Sequence, residues 1–136
     1  FESIEEFRRR IICENVHLVF GNHDHHIRNN KNNVRDLFTS CHKILDLQIT
    51  TPKWKRQFVI THFPFISWED MKNGVIHLHG HIHLPKHLRI REGKSMDVGV
   101  DGNELMPYNI NEIVNIMDKQ PIAKSTLPTD HHEHIS

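Results

Sequence analysis

The chain has 136 residues, the length of one ordinary domain, and its 17 Lys and Arg balance its 17 Asp and Glu. Zero formal charge argues against a basic nucleic-acid patch or a polybasic membrane segment as its main device. No apolar run reaches the roughly 18 residues of a membrane-spanning helix, and FESIEEFRRR is not a secretory signal.

The two cysteines, Cys13 and Cys41, lie outside any CxxC and read as reduced thiols of a cytoplasmic protein, although one bridge stays open. The chain begins at Phe1 rather than Met, so we expect a portion of something longer. Histidine is the outlier, with 14 residues. It is the commonest metal ligand and titrates near neutral pH, so composition points toward metal or proton chemistry.

Ser3 with Glu6 three residues on reads as a capping box, and Ile4, Phe7 and Ile11 follow at helical spacing. A short helix is predicted from Ser3 to about Cys13. The run VHLVF (Val16 to Phe20) reads as a buried strand that stops at Gly21-Asn22-His23-Asp24. Ile27 to Asn33 reads as a polar loop and Val34 to Phe38 as a helical turn. Lys43 to Thr50 alternates, the mark of a half-buried strand. Gln57 to Thr61 is a further strand, running into His62. Ile66 to Lys72 is predicted helical, with a turn at Asn73-Gly74. Val75 to His79 is a strand that runs into Gly80-His81-Ile82-His83. His87 to Arg91 and Ser95 to Val100 read as a hairpin. Asn109 to Lys119 carries Ile110, Ile113, Val114 and Met117 at helical spacing, with Asn109 as cap. One domain is expected over residues 1–120, followed by a flexible tail over 121–136.

The polar clusters share one placement: each stands where an apolar strand stops. In α/β folds, sites assemble at the carboxyl ends of strands. Three strands side by side would gather Asn22, His23, Asp24, His62, His81 and His83. Such a nitrogen and oxygen donor set suits Mn, Fe, Zn or similar divalent ions. A lone histidine after a strand is more often a surface residue. The ordered series of GNHD, a single His and GHxH is far more specific than any one part.

That series resembles the calcineurin-like metallophosphoesterase superfamily, in particular its small bacterial and phage stand-alone members. The family carries Asp-x-His, Gly-Asp, Gly-Asn-His-Asp/Glu, a lone His and Gly-His-x-His, in that order. This chain shows the last three, as Gly21-Asn22-His23-Asp24, His62 and Gly80-His81-Ile82-His83. Ser95 to Asp101, then Pro107 and the closing helix, add to the likeness, which runs to about Lys119. The first two motifs should lie several tens of residues before Gly21, and only twenty residues precede it. The resemblance therefore implies the C-terminal portion of such a domain.

The implied fold is α/β (α+β): two packed mixed β-sheets flanked by helices, an αββα sandwich without its N-terminal part. The implied activity is hydrolysis of a phosphomonoester or phosphodiester by a two-metal, bridging-hydroxide mechanism. Two divalent ions (Mn, Fe, Zn or Ni) would be held. Asn22, His62 and His81 would bind one and His83 the other. His23 would be the catalytic histidine that is not a ligand, oriented by Asp24. This chain alone is expected to hold at most one ion and to lack efficient activity. The carboxylates to examine otherwise are Asp24, Asp97 and Asp101. The alternative, from another class, is a non-catalytic binding or scaffold module that keeps the fold.

Arg28 is a candidate for substrate phosphate as a bidentate donor. His77 and His79 share one strand face, to be read as bordering the site or as half-solvated. His25 and His26 are expected to face solvent, and His17 and His42 to lie on strand surfaces. Trp54 and Trp68 are either core anchors or a substrate rim. The expected partner is a phosphate-ester substrate, with no membrane. A nucleic acid end stays open as substrate but is not indicated by charge.

Overall fold

Alternation along Leu45–Thr50 (β3) places Leu45, Leu47 and Ile49 on one side and leaves Asp46, Gln48 and Thr50 exposed. In the computed structural model, which describes residues 3–83, 90–91 and 93–122, this strand opens a five-stranded sheet. It pairs antiparallel with Lys55–Ile60 (β4), which pairs parallel with Ile76–His79 (β5). Next to β5 runs Ser95–Asp97 (β7), also parallel, and Ile90–Arg91 (β6) closes the edge antiparallel to β7. β4, β5 and β7 thus end on the same side. A second sheet holds His17–Val19 (β1) paired parallel with Ser40–His42 (β2). The protein is therefore mixed α and β, with one mixed sheet and one small parallel pair.

Period two along β5 decides the main core. Ile76 and Leu78 join Phe58 and Met96 against Ile113, Val114 and Met117 of the helix Ile110–Asp118 (α3). Asn109 caps that helix by accepting the Asn111 N–H at 2.8 Å, as its spacing predicts. At the other end, Lys94 Nζ donates to the Met117 and Gln120 carbonyls at 2.6 and 2.9 Å, where the helix dipole favours a cation. Trp54 is a core anchor: it packs on this cluster and donates its indole N–H to Asn111 Oδ1 at 3.1 Å.

A separate cluster of Phe20, Ile27 and Val34 lies under the small sheet, with Ile4, Leu18, Leu37, Phe38 and Cys41 packed on it. Ile4 belongs to Ile4–Arg10 (α1), whose cap Ser3 accepts the Glu6 N–H at 3.2 Å. Arg35 donates to the Ile27 carbonyl at 3.0 Å and its guanidinium stands 5.0 Å over the Phe20 ring. These contacts hold the loop that follows β1 against its own helix.

Several expectations are corrected. β1 does not stand beside β4; it pairs with β2 in the other sheet, because its parallel partner follows it through a short helical connection. The polar stretch after GNHD is not all loop. His25–Arg28 forms a helical turn (α2), since Ile27 has a buried seat. The helix predicted over Ile66 to Lys72 does not form, and only Met71–Asn73 makes a 3₁₀ turn. Ile66 is 95% exposed, so the apolar spacing there has no face to bury against. The expected turn at Gly74 is present, with a φ of 87° that favours glycine.

His77 and His79 are not half-solvated: both are fully buried. The loop after β4 covers His77, whose ring in turn lies against that of His79. His77 Nδ1 faces the Val59 carbonyl at 3.0 Å and the Phe65 N–H donates to Nε2 at 2.9 Å, so both ring nitrogens are satisfied. Trp68 tilts onto the same ring, with centroids 5.1 Å apart, and donates to the Val75 carbonyl at 2.8 Å. It is an anchor, not a rim. Cys13 and Cys41 are both free thiols. No helix among the described residues is long and apolar enough to cross a membrane. Residues 87–89 of the expected hairpin strand, and the expected tail from 123 onward, lie outside the described residues.

Candidate metal centre

The site is made by chain ends of strands. β4 runs out through Thr61, whose N–H still bonds the Leu78 carbonyl at 3.0 Å, and delivers His62. The Gly80 N–H in turn bonds the His62 carbonyl at 3.0 Å, so the turn after β5 is pinned beside it and presents His81. The Val98 N–H bonds the His79 carbonyl at 2.8 Å, which brings the exit of β7 and Asp101 into the same row. Asn22 arrives from the small sheet.

Three donor atoms converge. His62 Nε2 stands 2.8 Å from Asn22 Oδ1 and 3.0 Å from His81 Nδ1. Ligands bound at about 2.0–2.2 Å to one ion sit near such separations from each other. His81 has φ 72° and His83 φ 49°, left-handed backbone that is uncommon outside glycine and clusters at functional sites. Burial first, then the neighbouring His81, push the His62 pKa below the ordinary histidine value. The ring therefore stays neutral at neutral pH, with a lone pair to give. Among the described residues no three His, Cys, Asp or Glu side chains form a metal cage. Three ligands are reached only with the amide oxygen of Asn22, so the set fits one divalent ion of the kind that imidazole and amide oxygens take.

The other expected site residues fall around this trio. His23 is exposed and its Nε2 accepts from Asn22 Nδ2 at 3.3 Å, which sets it beside the trio. Asp24 does not touch the His23 ring among the described contacts; its Oδ2 accepts the Gly21 N–H at 2.7 Å and so closes the turn. His83 is not joined to the trio. Its Nδ1 is bonded to Asp101 Oδ2, and its side chain is 75% exposed. Asp97 is fully buried and accepts the Gly99 N–H at 2.8 Å. Arg28 donates to the Gly21 carbonyl at 3.0 Å and so braces the turn that carries Asn22. His25 and His26 are exposed, as expected. On the small sheet, His17 and His42 both bond the Ser40 hydroxyl, at 2.5 and 2.7 Å.

No family model, curated protein or solved structure matches this chain. The site therefore stands on its own geometry.

Sequence reasoning passed over Phe63. Its ring centroid lies 4.5 Å from that of His81 and 5.1 Å from that of His62, so it walls one side of the trio while 49% exposed. The only signal was its place directly after His62. Gly21 is the other close neighbour. A Cβ there would lie 3.1 Å from His62 Nδ1 and 3.3 Å from Asp24 Oδ2. We therefore expect Gly21→Ala to displace the His62 ring and reduce divalent-metal affinity by about 10–100-fold, as loss of a supporting contact does. A metal titration of both proteins measures this, and equal affinities would mean that the ring position is not what binds metal.

Proposed function

We propose that this chain is part of a metal-dependent phosphoester hydrolase of the calcineurin-like metallophosphoesterase type, with the αββα sandwich as its complete fold. The observation that carries this reading is the meeting of Asn22 Oδ1, His62 Nε2 and His81 Nδ1 at the carboxyl ends of strands, with His23 alongside. When bound, a divalent ion supplies charge neutralisation and activation of water for attack at phosphorus. Asn22, His62 and His81 would hold it through an amide oxygen and two imidazoles. His23, exposed and tied to Asn22, is placed to give a proton to the leaving oxygen of a bound ester. Asp24 holds the turn that aims it by taking the Gly21 N–H. The bond of His83 to Asp101 and the neutral trio together favour one ion on these residues rather than two.

The test joins metal counting to turnover on the natural full-length protein. Equilibrium dialysis with manganese or zinc, then an assay on a generic aryl phosphate ester, is expected to show metal-dependent hydrolysis. His23→Gln should lower turnover by roughly 10²–10⁴-fold, the range for a general acid, with metal content retained. Loss of metal together with activity would show that His23 is a ligand. Bound metal without any hydrolysis would favour the second reading, a binding module that keeps the fold, for which the absence of a carboxylate from the trio is the supporting feature.

A further inference from the structure

A cavity of about 320 Å³ lies behind His62, walled by Arg28, Lys43, Phe20, Phe63 and Phe65 together with the His62 ring. It is distinct from the metal trio. His62 meets Asn22 and His81 through Nε2, whereas its opposite edge, carrying Nδ1, is turned to Gly21 at the cavity wall. Neither Asn22 nor His81 lines the cavity.

The two cationic side chains on this wall are donors in want of an acceptor. The Arg28 side chain makes one hydrogen bond among the described residues, from Nη2 to the Gly21 carbonyl, and its Nε is buried without a partner. Lys43 makes no ion pair or hydrogen bond among them, and His62 Nδ1 makes none either. Asp24, whose Oδ2 takes the Gly21 N–H, does not line the cavity. The rest of the wall is mainly aromatic. Phe20 is buried, Phe65 stacks on His77 with centroids 5.2 Å apart, and Phe63 is exposed. Two cations set in a largely aromatic lining select a ligand with an anionic group and an apolar body. At roughly 30 Å³ per water, the cavity holds about ten waters, more room than a bare oxyanion fills.

We infer that this cavity binds an organic phosphate monoester with a flat, apolar body, its phosphate meeting Arg28 and Lys43 and its ring lying among Phe20, Phe63 and Phe65. Arginine and an ammonium together offer the charge-assisted hydrogen bonds that a phosphate dianion prefers. A planar ring finds edge and face contacts on the phenylalanines. Because the ligand sits on the far edge of His62, binding does not need a metal ion, and the inference stands or falls apart from the hydrolase reading.

The experiment uses phenyl phosphate, inorganic phosphate and phenol as probes, titrated into the protein with a chelator present and followed by ligand-observed NMR. Phenyl phosphate is expected to bind the metal-free protein at least tenfold more tightly than either inorganic phosphate or phenol. Arg28→Gln and Lys43→Gln should each weaken it by about 10–100-fold, the scale of a lost charged hydrogen bond. Lys43 is exposed, so its replacement keeps the fold and the test remains decisive if Arg28→Gln unfolds the turn. Equal binding of inorganic phosphate and phenyl phosphate would remove the aromatic half of the inference. Phenyl phosphate that binds only with metal restored, and is indifferent to Lys43→Gln, would place the anion on the trio and overturn the inference. Binding without metal in a protein that proves to hold no metal would sustain it while removing the hydrolase reading.

Discussion

His62→Ala is expected to lower divalent-metal affinity by at least about 100-fold, beyond the 10–100-fold that losing a mere supporting contact costs. The reason is geometric. Its Nε2 is the one atom within hydrogen-bond reach of both other donors, 2.8 Å from Asn22 Oδ1 and 3.0 Å from His81 Nδ1. Without it, an amide oxygen and one imidazole remain, and two neutral ligands compete poorly with water. The fold should persist, because the ring is half-buried and the local backbone bonds run from Thr61 N–H and to the His62 carbonyl, not through the side chain. His83→Ala serves as the contrast. Its ring is committed to Asp101 and exposed, so affinity for the first ion should change far less. Competition with a chromophoric chelator measures both variants, with circular dichroism as the check on folding. If His83→Ala proved as damaging as His62→Ala, the trio would not be the site and His83 would have to swing inward to complete it.

The trio was legible because its signal is local. Each histidine follows an apolar run directly, and strand exits are where a parallel sheet exposes side chains to a shared cavity. β4 and β5 are neighbours, so His62 and His81 had to meet. Asn22 was harder: β1 belongs to the other sheet, and the Asn22 contact to His62 shows that the two sheets face a common point. What sequence could not convey is rotation about side-chain bonds. His83 follows His81 by two residues, yet both have left-handed backbone and their rings part, one to His62 and the other to Asp101. The same holds for Asp24, whose carboxylate turns to the Gly21 N–H instead of the His23 ring.

The fold was readable wherever a period met a surface to bury. β3 and α3 came out close to their expected bounds because alternation and 3.6-residue spacing each had a partner face. The failure at Ile66 is instructive. ISWEDMK has helical composition, but Trp68 is drawn across to the Val75 carbonyl and the His77 ring, and that tertiary contact outweighs local propensity. Propensity also gave no notice of His77 and His79. A polar residue in a strand reads as solvent-facing unless one knows that a loop closes over it, and for His77 the closing contact is the Phe65 N–H, twelve residues away along the chain but invisible to any strand pattern.

Phe58→Ala is expected to destabilise the protein by about 3–5 kcal/mol, the usual loss for a fully buried phenylalanine that leaves a cavity behind. Phe58 has no exposed surface. It sits in β4 with cross-strand partners Leu47 and Ile76, and it lies in the cluster that seats α3 against the sheet. Trp54 meets it edge to face, with centroids 6.5 Å apart, so its removal also takes away an aromatic pair. Domains of this size hold together by about 5–15 kcal/mol in all, so the change removes a large fraction of the total. The consequence reaches the site. β4 carries His62 two residues beyond its end, and a strand that has lost its anchor no longer fixes that ring against Asn22 and His81. Urea titration should show the midpoint falling with the slope unchanged, and metal affinity should fall in the same variant although Phe58 touches no ligand. A shift of less than about 1 kcal/mol, the scale of an ordinary surface change or less, would mean that the cluster around α3 is not the core that holds β4.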